Sequence, residues 1–259
     1  MKISEILKSK EVTVSYEVFP PKKDMPFEPI LAAVDRLCQS EPDFMSVTYG
    51  AGGGTGHNAI KIADHVQNHR GVTSIAHLTC ISSSKEQVEA AIKEMKACGI
   101  ENILALRGDI PADFDGEAAR DYRFAADRVR ALKAKVDSGV DFLTTQMFFD
   151  NNVLYNFLYR IRERGITVPV IAGIMPVTNG KQIERICQLS GTYLPARFRA
   201  IVDKFGDNPE AMKQAGIAYA TDQIIDLIAN GVKGIHIYTM NKPDVAESIR
   251  NNLSYIIGK

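Results

Sequence analysis

Val88-Glu89-Ala90-Ala91-Ile92-Lys93-Glu94-Met95-Lys96-Ala97-Cys98-Gly99-Ile100-Glu101-Asn102-Ile103-Leu104-Ala105-Leu106-Arg107-Gly108-Asp109 decides the fold class. Val88, Ala91, Ile92 and Met95 recur at helical spacing, a glycine closes the pattern, and an apolar run follows that ends in Arg-Gly-Asp. Glycine suits the left-handed position that stops a helix at low cost. Working outward, the same punctuation recurs in Arg70-Gly71-Val72, Ser138-Gly139-Val140, Arg164-Gly165-Ile166 and Asn230-Gly231-Val232. A second helical stripe, Val153, Leu154, Phe157, Leu158 and Ile161, precedes the fourth of these five exits. Strands are predicted over residues 12–19, 44–49, 73–79, 102–106, 141–147, 169–174 and 234–239. Near-continuous apolar strands alternating with amphipathic helices mean a parallel sheet buried on both faces.

The chain has 259 residues, 45% hydrophobic and 24% charged, which excludes disordered and fibrous architectures. Lys plus Arg and Asp plus Glu both number 31, so the formal net charge is zero. A dedicated nucleic-acid binder carries a basic excess, and that class is set aside. No apolar run is long enough to span a bilayer, and the first residues lack the apolar stretch of a secretory signal. The expectation is a cytoplasmic protein with neither nucleic-acid nor membrane partners. Length, repeating units of roughly 30 residues and the absence of GxGxxG favour a (β/α)8 TIM barrel over a doubly wound sheet. With no interior linker, residues 1–259 read as a single domain. Residues 193–206 look like an extra helix inserted before a long helix over 209–230. Cys38, Cys80, Cys98 and Cys187 show no CxxC pairing and the five histidines no HxH or HExxH spacing, so buried free thiols and no metal are expected.

In barrels of this kind chemistry lies at the carboxyl ends of the strands. Those ends carry Glu17, Thr48-Tyr49, His77, Arg107-Gly108-Asp109, Gln146, Lys181-Gln182 after Met175-Pro176, and Tyr238 through Lys242. Any one of them alone reads more readily as a hydrogen-bonded core group or a helix cap. Seven strands ending this way describe a mouth that takes a sizeable polar ligand.

The motifs Ser-Tyr-Glu-Val-Phe-Pro-Pro-Lys (15–22), Ser-Val-Thr-Tyr-Gly-Ala-Gly-Gly (46–53), Ala-His-Leu-Thr-Cys (76–80) and Asn-Ile-Leu-Ala-Leu-Arg-Gly-Asp (102–109) stand in order. Thr-Gln-Met-Phe-Phe-Asp (145–150), Ala-Gly-Ile-Met-Pro (172–176) and His-Ile-Tyr-Thr-Met-Asn (236–241) follow. From about residue 12 to 241 the chain closely resembles the 5,10-methylenetetrahydrofolate reductases, flavin-dependent barrel enzymes of one-carbon metabolism. The resemblance implies FAD at the strand ends, NADH or NADPH as possible reductant, and hydride passed from flavin to a tetrahydrofolate derivative.

Residue by residue, it implies that Glu17 is the general acid that protonates the folate and opens its methylene bridge to an iminium. That task needs a carboxyl still protonated near neutral pH, which burial beside Val18 and Phe19 would favour; a fold-stabilising pair with Lys22 or Lys23 is the plainer alternative. Asp109 matches an aspartate beside the flavin and pterin that stabilises the cationic iminium. Thr48, Tyr49, Ala51, His77, Arg107, Gly108, Phe124, Ala125 and Lys135 match flavin-contact positions, Lys135 being a type also common near helix C-termini. Gln146, Gln182, Tyr238 and Lys242 fall on the substrate side, with Lys242 placed to answer a glutamate tail. Residues 52–54 are all glycine but lack the GKS/T ending of a phosphate loop, so a mobile active-site loop is expected.

The pattern breaks after residue 127. There the family continues through a helix into a strand carrying Tyr-Pro-Glu-x-His, whereas Phe124-Ala125-Ala126-Asp127 here runs straight into Arg128-Val129-Arg130. The shortfall is roughly 25–30 residues, about one βα unit, which agrees with seven predicted strands and an absent fifth. Either the molecule holds chain that this sequence omits, which suits the close match of both flanks, or it is a seven-stranded variant. The rival to a reductase is a non-catalytic or partner-dependent flavin- or folate-binding subunit of a larger complex. A barrel lyase with a phosphate site is disfavoured because no Schiff-base lysine stands at a strand end. A homo-oligomer or a subunit of a reductase complex is the expected assembly.

Overall fold

All five glycines read as helix exits have left-handed backbone: Gly71 (φ 70°), Gly99 (69°), Gly139 (100°), Gly165 (70°) and Gly231 (83°). At four of them, Gly71, Gly139, Gly165 and Gly231, an added Cβ would meet nothing within 4 Å. Conformation, and not crowding, therefore selects glycine there.

The structure, a computed structural model, describes residues 1–21, 25–49, 56–80, 83–108 and 128–258, with only the backbone of Arg128. Helix α1 (Ile3–Ser9) is followed by β1 (Thr13–Val18), α2 (Glu28–Gln39), β2 (Met45–Val47) and α3 (Gly56–Asp64). Next come β3 (Ser74–Thr79), α4 (Lys85–Ala97), β4 (Asn102–Leu106), α5 (Arg128–Asp137) and β5 (Leu143–Thr144). The chain continues through α6 (Asn151–Glu163), β6 (Val170–Ile174), α7 (Gly180–Ser190), α8 (Ala196–Phe205), α9 (Pro209–Ala229), β7 (Gly234–Tyr238) and α10 (Pro243–Leu253). Seven parallel strands among the described residues, alternating with helices, make a TIM-barrel-like α/β fold. Helix α8 is the insertion expected before the long helix. Among the described residues no helix is long and apolar enough to cross a membrane.

The described chain divides into two compact units. One gathers the described residues of Met1–Ile6, Ser15–Ala126 and Met240–Pro243. Its strands run in the order β4-β3-β2-β1, with Glu17 opposite Ser46, Ser46 opposite Ile75 and His77 opposite Leu104. Tyr16 and Met45 face α2, where the Ser40 hydroxyl donates to the Tyr16 hydroxyl oxygen (3.3 Å) and Cys38 Sγ lies 3.5 Å from Met45 Sδ. Successive strand residues point to opposite faces, so Glu17 and Ser46 look away from α2. Helix α3 ends in a π turn, His65–His69, and Asp35 of α2 accepts hydrogen bonds from Arg70 Nε and His65 Nε2, each at 2.6 Å. A reciprocal Ser84–Gln87 capping box starts α4.

The other unit comprises the described residues of Leu7–Val14, Asp127–Thr239 and Asp244–Lys259. Its strand order is β7-β6-β5, with Leu143 opposite Val170 and Ile171 opposite Gly234. Phe149, Val177, Ile183, Leu194, Phe198 and Met212 form its buried cluster, in which Phe198 stacks on Tyr219 at 4.2 Å.

Burial separates the strands. β1, β2 and β3 are buried apart from Glu17 and Thr79, as near-continuous apolar runs require. β4, last in its order, leaves Ile103 and Leu106 each 38% exposed, one on either face. β5, also last in its order, keeps only two ladder residues, neither fully buried, where the sequence predicts a strand over 141–147. β4 and β5 flank, along the chain, the stretch in which one βα unit falls short. A strand paired on one side alone covers less of its own surface. The cysteines are all free, but only Cys38 is buried; Cys80 is exposed because it follows the last residue of β3, where the chain leaves the sheet.

Candidate active site

Glu17 is the penultimate residue of β1, and the other residues of that strand are buried. The Ser46 hydroxyl of β2 donates to Glu17 Oε2 at 3.4 Å, and His77 Nε2 of β3 stands 3.6 Å from the same oxygen. The His77 side chain is 7% exposed and the Glu17 side chain 19%. Of the two apolar neighbours expected, Val18 is corrected. Val18 points to the opposite face, and the carboxyl is flanked by a hydroxyl and an imidazole from the two adjoining strands. Such an arrangement restrains the carboxyl from the side of the two adjoining strands.

The neighbouring strand ends carry the other expected residues of this unit. The Thr48 N–H donates to the Val18 carbonyl at 3.0 Å. The Tyr49 ring lies so close to Gly56 that a Cβ there would come within 2.4 Å of the phenol. Glycine opens α3 because the ring occupies the space a side chain would need. At the end of β4 the Arg107 carbonyl accepts from the Cys80 N–H (3.2 Å), Arg107 Nε donates to the Gly108 carbonyl (2.9 Å), and Gly108 turns the chain with φ 89°. Lys242 sits in the turn before α10, next to Asn241, whose side-chain amide holds the main chain of Phe19. Ala51, Asp109, Phe124 and Ala125 lie outside the described residues, as do Lys22, Lys23, the glycines at 52–54 and Asp127 at the 127–128 junction.

The second unit carries Gln146, Tyr238, Gln182 and Lys135. The Tyr238 hydroxyl donates to the Thr145 carbonyl at 2.7 Å, and the Gly173 N–H donates to Thr145 Oγ1 at 2.9 Å. A Cβ on Gly173 would come within 2.5 Å of the Thr145 carbonyl and 2.6 Å of the Tyr238 hydroxyl, so glycine in β6 lets the phenol cross to the end of β5. Tyr238 is thereby held one residue from Gln146, with His236 edge-on at 5.4 Å. Gln146 is exposed and accepts from the Met147 N–H at 3.2 Å. It borders a mostly apolar pocket of about 570 Å³ that Leu132, Leu143, Phe149, Phe157 and Tyr193 also line. Gln182 is exposed in the first turn of α7, behind the Asn179 cap, and so stands on a helix rather than at the end of β6. Lys135 is exposed in the last turn of α5.

Two polar residues absent from the sequence-derived site belong beside it. Ser46 is buried next to Glu17, and an alternation argument from Glu17 across the parallel register would have found it. Asn241 closed a quoted motif without a task, and its partner Phe19 lies 222 positions away.

The model of a family described as methylenetetrahydrofolate reductase matches residues 2–133 and 125–254. The two segments overlap where the sequence departs from the family pattern. The chain is 31% identical over 298 residues to methylenetetrahydrofolate reductase (NADH) 1 of Zea mays, covering 98% of this chain and 50% of that one. It is 31% identical over 269 residues to the 5,10-methylenetetrahydrofolate reductase of Escherichia coli strain K12, covering 94% and 91%. The chain thus spans about half the length of the plant relatives it matches and most of the length of the bacterial ones. Among solved structures, an uncharacterized protein from Clostridium thermocellum that binds two copies of 5-methyl-5,6,7,8-tetrahydrofolic acid superposes with TM-score 0.64 at 13% identity, covering 99% and 100%. Ligand-free tryptophan synthase from M. tuberculosis reaches 0.50 at 14% identity, covering 90% and 99%. At these identities the two structures bear on the fold alone.

Proposed function

The chain belongs to the methylenetetrahydrofolate reductase family, and from that premise we propose that it reduces 5,10-methylenetetrahydrofolate to 5-methyltetrahydrofolate with FAD as cofactor. The observation that carries the reading is Glu17, a carboxyl projected from a buried strand and flanked by Ser46 and His77.

The donor set fits a flavin dinucleotide. Thr48 and Tyr49, His77, and Arg107 with Gly108 offer a hydroxyl, a phenol, an imidazole and a planar guanidinium from three successive strand ends, and the left-handed Gly108 admits close backbone approach. Ala51, Asp109, Phe124, Ala125 and Lys135 complete the proposed set. FAD, when bound, supplies the hydride. Glu17 delivers a proton to a nitrogen of the methylene bridge, which opens the bridge to an iminium able to accept hydride. Asp109 stabilises that cation electrostatically. Gln146, Gln182, Tyr238 and Lys242 orient the folate, Lys242 through its charge. The family name supports this substrate class.

The plant relatives are named for NADH, and we take NADH or NADPH as reductant for this chain, in the cytoplasm. A second reading is a partner-dependent subunit that receives electrons within a complex. Anaerobic titration of FAD-loaded protein separates the two. The first reading expects a yellow preparation bleached by a nicotinamide donor and restored by methylenetetrahydrofolate with formation of the 5-methyl product. Bleaching only with a partner protein selects the second. Protein that takes up no FAD, or whose reduced flavin the folate leaves untouched, contradicts the reductase reading.

A further inference from the structure

Strand β1 stops at a place where the main chain cannot go on pairing. Phe19 is followed by Pro20 and Pro21, which have no N–H to give. The two polar main-chain groups of Phe19 need partners all the same. One side chain supplies both: the Phe19 N–H donates to Asn241 Oδ1 at 3.1 Å, and Asn241 Nδ2 donates to the Phe19 carbonyl at 2.9 Å. The amide thus does what a residue of an adjoining strand would do. From the β2 side, the Thr48 N–H holds the Val18 carbonyl at 3.0 Å. The two residues that follow Glu17 are therefore pinned, one from each direction.

Reaching that position strains the backbone. Met240 (φ 53°) and Asn241 (φ 54°) are consecutive left-handed residues, and neither is glycine. Asparagine tolerates this region; methionine does so at a cost. Such strain persists where the surroundings over-determine it, and it gathers at functional sites. Here the double left-handed turn is what aims the Asn241 amide at Phe19.

We infer that Asn241 is a positioning residue for Glu17: its amide fixes the end of β1 and so sets where the acid meets its substrate. The inference rests on Glu17 being the proton donor of the proposed reaction. It predicts that the two half-reactions divide. Reduction of the flavin by the nicotinamide donor needs no proton from Glu17, whereas reoxidation by methylenetetrahydrofolate does.

The test uses the FAD-loaded protein in anaerobic stopped flow, each half-reaction followed separately, with Asn241→Gly, Asn241→Asp and Glu17→Gln. Asn241→Gly suits the left-handed backbone and removes only the amide. It should slow reoxidation by folate about ten- to a hundredfold at saturating substrate, the scale of a misplaced reacting group. Flavin content and donor-driven reduction should stay within about twofold of the parent. Asn241→Asp keeps the acceptor for the Phe19 N–H and loses the donor to its carbonyl, so its rate should fall between the two. If Asn241→Gly reoxidises at the parental rate while Glu17→Gln has lost that step, the inference is overturned and the role of Glu17 stands. If both half-reactions and flavin content fall together in Asn241→Gly, Asn241 is a structural residue and the inference is again overturned. Should Glu17→Gln keep a full rate of reoxidation, the functional reading fails, and the inference with it.

Discussion

Residues 15–18 of β1 and all of β4 belong to the same compact unit, run parallel to their neighbours and end in motifs of the same family, yet the two strands are built differently. β1 is buried along its length except at Glu17, and its end is held by Thr48 and Asn241. β4 stands last in its strand order, with Ile103 and Leu106 exposed on opposite faces. The difference teaches where this fold spends its rigidity. The residue assigned to proton transfer, which must be placed to within an ångström, sits on the more buried of these two strands. The Arg107-Gly108 end, assigned to holding a large cofactor through several contacts, follows the less buried one.

The contrast is open to attack by substitution. Tyr16 is fully buried in β1 and packed beneath α2, so Tyr16→Ala should cost about 3–5 kcal/mol, read as a lower denaturant midpoint with the slope unchanged. Leu106→Ala in β4 removes a side chain that is already partly in water and should cost about 1 kcal/mol. Equal costs at the two positions would erase the distinction between the strands. The smallest effect belongs to the clamp between α2 and the π turn. The Arg70 guanidinium, and after it His65, hold the Asp35 carboxyl below its usual 3.8, against a burial effect that raises it. A depressed carboxylate contributes stability above its unfolded value and loses it as pH falls through the folded one. Asp35→Asn should therefore be slightly less stable than the parent at pH 5 and above, with the gap closing below about pH 4. A gap that widened on acidification would contradict that pairing.

How far these features could be read beforehand depends on the range of the forces involved. Helix exits are local, since a left-handed turn after a helical stripe needs glycine at that residue, and all five positions show it. Strand number and the burial of β1 to β3 follow from apolar runs for the same reason. The strand predicted over 141–147 shrank to two ladder residues because its pairing depends on neighbours the local pattern does not contain. The surroundings of Glu17 were misread for a related reason. Val18 is adjacent in sequence but faces away, while Ser46 and His77 come from other strands through the parallel register. Asn241 was harder still. The one local hint was the Pro20-Pro21 pair, which says that Phe19 needs an outside partner without saying which residue provides it. Gln182 was assigned to a strand end, and the Asn179 cap shows that the helix had already begun.

The most direct trial of the account is the rate at which methylenetetrahydrofolate reoxidises pre-reduced, FAD-loaded protein when Glu17 is replaced by glutamine. Glutamine keeps the shape and cannot deliver the proton. The account predicts a loss of about a thousandfold or more in that step, within the range expected for removal of a general acid, alongside parental flavin content and parental reduction by the nicotinamide donor. A Glu17→Gln protein that turns over the folate at the parental rate would contradict it.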